Sequence, residues 1–309
     1  MPPNTKPAVS FKDATHVAAA DAPLDRLLRS VFAGASWNAV RALIESGKVS
    51  VYGEVVREAS HLVRAGAEVR VMMRAPRAKG PALPSDLIAH VDTQVVVARK
   101  PAGISTVPFD ENETGTLAEL VEAALRRKGG PHAPLGIVHR IDKETSGLVV
   151  FARTLTAKRV LKQQFRVHSV KRGYWALAHG AVAPGRLASR LVKDRGDGRR
   201  GSTDNPTLGR EAVTHVRVLE KLHGATLIEC RLETGRTHQI RIHLSERGHP
   251  LLGERVYSKS FRGPLVSAPR LMLHAFELGF EHPTTGAPLH FEQPMPADMR
   301  DVLASLRLR

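Results

Sequence analysis

One acidic side chain in this sequence is placed as a catalytic group on a loop would be. Asp142 lies between Arg140 and Lys143, and residues 145–147 after it have the composition of a turn. Apolar runs of strand length stand on both sides of this segment. Glu144 is the only carboxylate near enough in sequence to share an acid–base cycle with it. We therefore predict Asp142 on a loop between two strands, presented to a ligand by a rigid scaffold; a solvated turn carboxylate has the same local pattern.

A second stretch places two arginines where a strand passes into a helix. The alternating apolar run 225–232 predicts a strand, and Thr237 is suited to cap a helix that runs to about Arg247. Arg236 then lies at the junction and Arg241 in the first turns of the helix. A cation beside a helix N-terminus opposes the helix dipole, and a nearby anion would offset that conflict. A solvated arginine has the same pattern.

Together these stretches resemble the RluA-type RNA pseudouridine synthases, which isomerise uridine in structured RNA. The similarity spans roughly residues 95–299, and the family's motifs follow in the family's order. Two departures are Ile141 for the usual Leu and Glu254 for the usual Asp, and we expect neither to affect the chemistry. The motifs are KPAG (100–103), HRIDKETSG (139–147), VKRGY (170–174), GRTHQIR (235–241), LHA (273–275) and HPTTG (282–286).

The resemblance implies a role for individual residues. Asp142 matches the essential aspartate, and Arg140 matches the side chain that fills the gap left by a flipped base. Tyr174 matches the ring that stacks on the uracil and helps to remove its C5 proton. Arg236 matches the arginine that pairs with the aspartate and keeps it ionised in a dry pocket. His139 is expected to orient the loop. The predicted catalytic residues are thus Asp142, Tyr174 and Arg236, and the predicted RNA-binding residues are Arg140, His139, Lys100, Arg241, Arg195, Arg199, Arg41 and Lys48.

The implied reaction needs neither a cofactor nor a metal. The C1′–N1 bond of uridine breaks, the uracil rotates, and C5 joins C1′, so nothing is oxidised, hydrolysed or transferred to another molecule. A glycosidase uses two carboxylates because it must also activate water. A lone carboxylate suits an isomerisation from which water is excluded. Because the target uridine lies in folded RNA, it must be flipped out of its stack, at a cost of roughly a few kcal/mol.

The composition favours a polyanionic partner in a reducing compartment. The formal net charge is +16, and the pI is about 10.6. The single cysteine, Cys230, excludes a disulfide framework and a cysteine-based zinc site. No apolar run approaches the length of a membrane span, and the first residues lack the apolar core of a secretory signal. We expect a cytoplasmic monomer that acts on RNA, with large-subunit ribosomal RNA as first choice and transfer RNA as second.

The chain is predicted to contain two folded domains. Residues 1–20 are expected to form a disordered tail, and residues 74–84 a Pro-, Gly- and Arg-rich linker. Residues 21–73 predict a small α/β domain that resembles the RNA-binding domain first seen in ribosomal protein S4. That resemblance rests on LDRLL (24–28) and RALIESGKVSVYG (41–53), with Tyr52 where Asn is common. Residues 85–309 are the predicted catalytic domain.

The catalytic domain is predicted to be α+β, with a mostly antiparallel mixed sheet and flanking helices, as in pseudouridine synthases. Strand patterns outnumber helical ones, and no regular β–α–β alternation is visible. The best helix candidates are 117–127 and 157–166. A basic stretch, residues 185–210, is either an RNA-facing hairpin or loop or a solvated insertion. The predicted strands are 95–98, 137–138, 148–151, 174–178, 212–219, 227–232 and 278–280.

Other functional classes fit the sequence less well. A zinc hydrolase would need histidines on one helix face, whereas His238 and His243 are five residues apart and diverge. A serine hydrolase would need a G-x-S-x-G turn, and Ser146 lacks the first glycine. A non-catalytic RNA-binding or ribosome-assembly factor on the same fold is the strongest alternative. The presence of Asp142 and Tyr174, together with Arg236, favours the enzyme.

Overall fold

The computed structural model describes residues 11–74, 86–109, 113–127, 134–259 and 261–307. These residues form two compact units, one on each side of residues 75–85. The division lies at the predicted start of the catalytic domain. Apart from Arg74, the predicted linker lies outside the described residues.

The small unit consists of two short helices packed on small antiparallel sheets. Apolar residues of both helices, among them Leu28 and Ile44, form one core with the sheet valines. The larger sheet has the order β1-β6-β3-β4, and β2 pairs with β5. The elements are β1 (Ala14–Val17), β2 (Ala22–Pro23), α1 (Leu24–Val31), α2 (Trp37–Glu45), β3 (Val49–Val51), β4 (Glu54–Val55), β5 (Leu62–Val63) and β6 (Glu68–Val71).

Local sequence signals explain where α2 and the following hairpin lie. The Ser36 side chain caps α2 by accepting a hydrogen bond from the Ala39 backbone N–H at 3.1 Å. Tyr52 and Gly53 connect β3 to β4 with φ values of 51° and 82°. A two-residue hairpin turn of this kind needs positive φ at both positions, which Asn tolerates better than Tyr. Tyr52 therefore holds a costly conformation where the resembling family commonly has Asn.

The predicted disordered tail is too long. Strand β1 pairs antiparallel with β6 from Ala14↔Val71 to Val17↔Glu68, and Ala18 is buried in the core. Phe11 packs edge-on against Phe32 of the same unit, with ring centroids 5.1 Å apart. The small unit therefore begins before residue 21. This strand was hard to predict because it is short and half exposed, and its pairing partner lies more than fifty residues away.

The large unit is built on one eleven-stranded sheet with the order β13-β12-β14-β15-β11-β16-β10-β8-β7, to which β9 and β17 add beside β10 and β16. Its strands are β7 (Ile88–Val91), β8 (Val95–Lys100), β9 (Gly136–Ile137), β10 (Ser146–Ala152), β11 (Lys171–His179), β12 (Gly185–Val192), β13 (Gly201–Thr203), β14 (Arg210–Leu222), β15 (Ala225–Leu232), β16 (Leu273–Glu281) and β17 (Pro288–Glu292). Its helices are α3 (Leu117–Arg127), α4 (Leu155–Arg166), α5 (Gln239–Glu246) and α6 (Ala297–Arg307).

The sheet is mixed but mostly antiparallel, which confirms the predicted α+β class. Of the strand pairs, β10–β16 is parallel and the others are antiparallel. Helix α4 packs Leu161 onto one cluster of sheet residues, and α6 packs Met299 and Leu303 onto another. All residues of β10 are buried, because neighbouring strands flank it and packed side chains cover it. No helix among the described residues is long and apolar enough to cross a membrane.

The basic stretch 185–210 is ordered into strands. Strand β12 pairs with both β13 and β14, so much of this stretch extends the sheet at its edge. The side chains alternate between partly buried and exposed along β12, which hid the strand from apolar periodicity. The sequence prediction also missed β7, β17 and α6.

Candidate active site

Asp142 lies on the loop between β9 and β10, as the sequence predicted. The Thr145 N–H donates a 3.0 Å hydrogen bond to the Asp142 carbonyl, which closes the turn. The Thr106 hydroxyl bonds both backbone groups of Ile141. The carboxylate itself remains partly exposed, with 20% of the side-chain surface accessible. The loop is thus fixed through its backbone while its acidic group is left available.

Lys100, predicted to bind RNA, is buried beneath this loop and is hydrogen-bonded to the protein backbone. It is only 1% exposed. Its ammonium donates hydrogen bonds to the carbonyls of Pro101, Ile104 and Lys143, at 3.0, 2.7 and 2.8 Å. The Gly103 N–H also donates to the Lys143 carbonyl. The KPAG motif is therefore a support for the Asp142 loop, and burial lowers the pKa of Lys100 to about 7.

Gly147 brings the same loop against the strand β16. It has a φ of +123°, and a Cβ at this position would lie 2.2 Å from the Ala275 carbonyl oxygen. Beside it, the Ser146 hydroxyl and His274 Nδ1 share a 2.9 Å hydrogen bond. The TSG and LHA motifs thus meet at the parallel pair of strands, where only glycine allows the close approach.

The arginine that contacts Asp142 is Arg241, not the predicted Arg236. Arg241 Nη1 lies 3.4 Å from the carboxylate Oδ2. Its Nε and Nη2 donate to the two carboxylate oxygens of Glu254, at 2.7 and 2.8 Å. Arg241 is 7% exposed and lines the cavity beside Asp142, so it belongs to the interior of the site, and its predicted contact with RNA stays a prediction. Glu254, which we expected to have no effect on the chemistry, is connected to Asp142 through Arg241.

Arg236 lies at the same cavity but is held differently. Its Nε donates to the Glu211 carbonyl at 2.8 Å, and its backbone N–H donates to Gln239 Oε1 at 3.0 Å. Burial and the charge of nearby Arg210 lower the pKa of its guanidinium. Gln239 bonds the Thr234 hydroxyl and the Val213 carbonyl as well. The Arg236 turn is therefore anchored by Gln239, and among the described residues the Arg236 guanidinium forms no ion pair with Asp142, the carboxylate that it was predicted to pair with.

Helix α5 begins one residue later than predicted, and its cap differs. His238, not Thr237, is the N-cap, with left-handed backbone angles and no side-chain cap. Its Nδ1 shares a 2.7 Å hydrogen bond with the Tyr257 hydroxyl, and its Nε2 lies 4.0 Å from Asp142 Oδ1. Burial lowers the pKa of His238 despite the nearby Asp142 carboxylate. The His238 side chain therefore does not cap α5 and lies beside Tyr257 and Asp142 instead.

These groups line a cavity of about 410 Å³. Tyr174 of β11 forms part of its wall and is 8% exposed. Burial raises the pKa of the Tyr174 phenol to about 12, so the phenol is neutral at ordinary pH. The volume is of the size that accepts a small ligand or a single nucleotide. Asp142 and Tyr174, predicted as catalytic residues, therefore line one cavity together with Arg236 and Arg241.

The two residues before Ile141, His139 and Arg140, have different surroundings and different roles. The His139 ring stacks on Phe165 with centroids 4.5 Å apart, and its Nε2 accepts a 3.0 Å hydrogen bond from the Val150 N–H. Burial lowers the pKa of His139 to about 3, so the ring is neutral and fixes the loop. These contacts fit the predicted loop-orienting role of His139, and its predicted contact with RNA stays a prediction. Arg140 lines the cavity and is exposed.

The remaining predicted RNA-binding residues lie outside this cavity. Arg195 pairs with Asp197 and with Glu246 of α5, and Arg199 lies on the same β12–β13 connection. In the small unit, Arg41 pairs with Asp25 and lies 5.7 Å from the centre of the Trp37 ring. Lys48 is half-buried just before β3. Neither Arg195 nor Arg199 lines the cavity of the Asp142 loop among the described residues, and Arg41 and Lys48 belong to the small unit.

Comparison with known proteins decides the family. Residues 94–246 match the family model described as RNA pseudouridylate synthase. Ribosomal large subunit pseudouridine synthase D of Zymomonas mobilis is 39% identical over 292 residues, which cover 90% of this chain and 91% of that protein. The protein of the same name from Xylella fastidiosa is 36% identical over 306 residues, which cover 94% and 90%.

The chain belongs to the RNA pseudouridylate synthase family and is an RluA-type enzyme. The structure of human RNA Pseudouridylate Synthase Domain Containing 4 superposes with a TM-score of 0.59 at 26% identity, covering 71% of this chain and 92% of that chain. The cavity described above lies within the segment that matches the family, apart from Leu273.

Sequence reasoning missed several residues of this pseudouridine synthase site. Arg241 was singled out, but its buried partner Glu254 was treated as a neutral departure. Arg172 and Tyr257 gave less warning, because a basic residue in a strand and a tyrosine in a loop are ordinary surface patterns.

Proposed function

We propose that this pseudouridine synthase isomerises a specific uridine in large-subunit ribosomal RNA, with Asp142 as the catalytic carboxylate. The observation that carries the proposal is the placement of Asp142, partly exposed at a nucleotide-sized cavity and contacted by the buried Arg241–Glu254 pair. The choice of RNA is supported by relatives named for the large ribosomal subunit, which match nearly the whole chain. Transfer RNA is the second candidate.

The reaction places few demands on the protein. The uridine leaves the RNA stack and enters the cavity, and Arg140 occupies the space that the base vacates. Asp142 attacks the nucleotide or removes a sugar proton, and the C1′–N1 bond breaks. When C5 bonds to C1′, the bond to Asp142 breaks again or Asp142 returns the sugar proton, so the free carboxylate is restored. The uracil rotates against Tyr174, C5 bonds to C1′, the C5 proton is released, and N1 takes up a proton. Every atom of the base and sugar is retained, apart from this proton exchange.

Arg241 keeps the carboxylate ready for this step. In a cavity from which RNA excludes water, an isolated carboxylate would favour its neutral form. Arg241 contributes a positive charge at 3.4 Å, and Glu254 fixes the guanidinium in place through two charge-assisted hydrogen bonds. Glu254 is therefore a positioning residue that acts on Asp142 through Arg241.

The small unit supplies a second RNA contact in this proposal. It presents Trp37, 39% exposed, with the guanidinium of Arg29 4.3 Å from its ring centre and that of Arg41 at 5.7 Å. Exposed cations beside an aromatic face suit RNA phosphates and bases. Together with the S4-like sequence pattern, this supports an RNA-binding role that includes Lys48. Arg195 and Arg199 would extend the contact from the large unit.

The cellular setting follows from the same reasoning. We infer a cytoplasmic monomer, because the substrate is ribosomal RNA and the one cysteine is buried. Neither cofactor nor metal has a place in the proposed reaction.

The central test is release of tritium from RNA labelled at uracil C5. The purified protein should release tritium, and Asp142→Asn should bind the RNA without release. Binding without release by the wild-type protein would assign it instead to the non-catalytic RNA-binding or ribosome-assembly factors. Chemical mapping of pseudouridine in total RNA, with and without the gene, then identifies the target. Loss of a site in transfer RNA alone would reject the ribosomal assignment.

The small unit is tested with the double variant Arg41→Glu, Lys48→Glu. Activity on full-length ribosomal RNA should fall, while activity on a short stem-loop that carries the target uridine should change little. Arg57→Glu, an exposed charge reversal elsewhere on the same unit, is the matched control. Equal losses on both substrates would contradict a targeting role.

A further inference from the structure

Arg172 is a buried cation that the proposed mechanism does not use. It lies on β11 two residues before Tyr174 and is 8% exposed. Its Nη2 donates to the Glu233 carbonyl at 2.9 Å and, more weakly, to the Leu232 carbonyl at 3.4 Å. Among the described residues, Nε is buried without any hydrogen-bond partner, and the side-chain hydrogen bonds of Arg172 to them are made by Nη2, not by Nη1. A buried N–H without an acceptor is costly, so a ligand atom that accepts it would be stabilising.

The environment of Arg172 holds no compensating anion. Its guanidinium lies 5.7 Å from the Phe165 ring centre, and no described carboxylate forms an ion pair with it. Burial lowers the pKa of Arg172, and the Arg236 cation lowers it further against an opposing effect of Tyr174. The charge is therefore held in place without a partner from the protein, as in a site prepared for an anionic ligand.

Other cations share the cavity with Arg172, and they define what we call the basic group. Among the described residues, the only carboxylate that lines the cavity is Asp142, which Arg241 already contacts. Positive charge therefore exceeds negative charge where the nucleotide must enter. The basic group consists of Arg140, Arg166, Arg172 and Arg236.

Gly235 is shaped to leave room for Arg172. A Cβ at this position would lie 2.5 Å from Arg172 Nη1. Gly235 has no positive φ that would itself require glycine. The glycine that begins the GRTHQIR run is thus explained by the space that Arg172 occupies. The guanidinium cannot simply move away, because its Nη2 is hydrogen-bonded to two backbone carbonyls.

We propose that Arg172 binds a phosphate flanking the flipped uridine, through the N–H groups that the protein leaves without acceptors. This inference rests on the proposed function, because it takes the flipped nucleotide as the occupant. A nucleotide rotated out of the stack carries its 5′ and 3′ phosphates toward the cavity mouth. Each phosphate has a full charge and several acceptor oxygens, which suit a guanidinium better than a neutral uracil carbonyl.

The experiment is a cycle that combines a protein change with a backbone change in the RNA. The RNA is a stem-loop with the mapped uridine, unmodified or with a neutral methylphosphonate at the 5′ or the 3′ phosphate of that uridine. The protein is the full chain in the non-reacting Asp142→Asn form, with Arg172 or with Arg172→Gln. Equilibrium binding gives Kd for each combination, and melting curves check that each variant folds.

With Arg172 present, one of the two methylphosphonates should weaken binding about tenfold, which equals 1.4 kcal/mol. Arg172→Gln should weaken binding of unmodified RNA by a similar factor, and the methylphosphonate should then have no further effect. Arg159→Gln, an exposed change on α4 away from the cavity, should leave the methylphosphonate effect intact. Gly235→Ala should reproduce Arg172→Gln, which guards against a folding defect in one variant.

Three results would overturn the proposal. The first is that neither methylphosphonate weakens binding when Arg172 is present, and the second is that the two losses multiply to about a hundredfold. The third is that 4-thiouridine at the target, in place of the methylphosphonate, weakens binding when Arg172 is present and has no further effect in Arg172→Gln. Arg172 would then bind the base. The cycle measures binding only. Failure of the isomerase assignment would appear separately, as absence of tritium release by the wild-type protein.

Discussion

Two groups of charged side chains meet at one cavity and differ in how their charges are balanced. In the ion-paired group, Asp142 is contacted by Arg241, which Glu254 holds with two hydrogen bonds. The basic group contains Arg172 and Arg236 and makes no ion pair among the described residues. Arginines five residues apart, Arg236 and Arg241, therefore belong to different groups. The difference teaches that residue type alone does not assign a role, because burial and partner decide whether an arginine serves a carboxylate or an incoming anion.

The largest effect is expected for Asp142→Asn. The substitution keeps the shape of the side chain and removes its charge and basicity. Turnover should fall by at least about 10⁴-fold, while RNA binding stays within a few-fold of wild type. Tritium release and equilibrium binding measure the two quantities. Turnover within tenfold of wild type would contradict a catalytic role for the ion-paired group.

Arg241→Gln should be next, with turnover lowered by about 10²–10³-fold. It also leaves the Glu254 carboxylate buried and unpaired, so the free energy of unfolding should fall by about 3–5 kcal/mol. The double variant Arg241→Gln, Glu254→Gln should recover stability without recovering turnover. Recovery of both would mean that the pair is only structural.

The same variants have a defined pH dependence. Burial pushes the pKa of Glu254 up, but hydrogen bonds and the charge of Arg241 outweigh it and hold that pKa below its ordinary value. The pair therefore stabilises the fold above the unfolded-state pKa of Glu254, and this stabilisation is lost as the pH falls through the folded-state value. The stability gap between wild type and Arg241→Gln should narrow toward low pH, as denaturant titrations at several pH values would reveal.

Tyr174→Phe should slow turnover by about 10²-fold, because the ring still stacks but the phenol is lost. Tyr174→Leu should cost more, since it removes the stacking surface as well. Because the pKa of Tyr174 is about 12, ionisation of this residue should not change turnover between pH 7 and 9. Equal and near-normal rates for both variants would reduce Tyr174 to a core residue.

Lys100→Met should lower turnover several-fold, because the Asp142 loop loses three hydrogen bonds. The folded-state pKa of Lys100 is about 7, below the ordinary value of 10.5. Between these values the unfolded chain binds a proton that the folded chain does not, so stability rises with pH. The difference in free energy of unfolding between wild type and variant should therefore grow from pH 7 to 10, at up to about 1.4 kcal/mol per unit. A constant difference would contradict this.

Arg236→Gln should have the smallest effect on turnover. Its cation does not contact Asp142, so kcat should hold while KM rises a few-fold. The salt dependence of RNA binding should become shallower by about 0.7–0.9 in log–log slope, as expected for one lost phosphate contact. If kcat fell as far as in Arg241→Gln, the separation of the two groups would be wrong.

The sequence predicted the elements of the site better than its pairings. The Asp142 loop, β10, β11 and β15 were recognisable because apolar runs end in turn residues. Assigning the carboxylate's partner required knowing how α5 is rotated and capped. The left-handed backbone of His238 determines where α5 begins, and local sequence propensities do not predict that conformation. Lys100 was predicted to bind RNA, and its burial was not foreseen, because a fully buried lysine is rare and its carbonyl partners are brought together only by the tertiary fold.

The parallel pairing of β10 with β16 affects how this enzyme is made. Ser146 and His274 are 128 positions apart, yet they share a hydrogen bond directly beside the catalytic turn. Strand β16 also lies between β10 and β11, near the middle of the sheet. During synthesis the chain must therefore wait for a strand near its C-terminal end before the sheet can close. We therefore expect the catalytic turn to reach its final geometry only after β16 has been synthesised and has paired with β10.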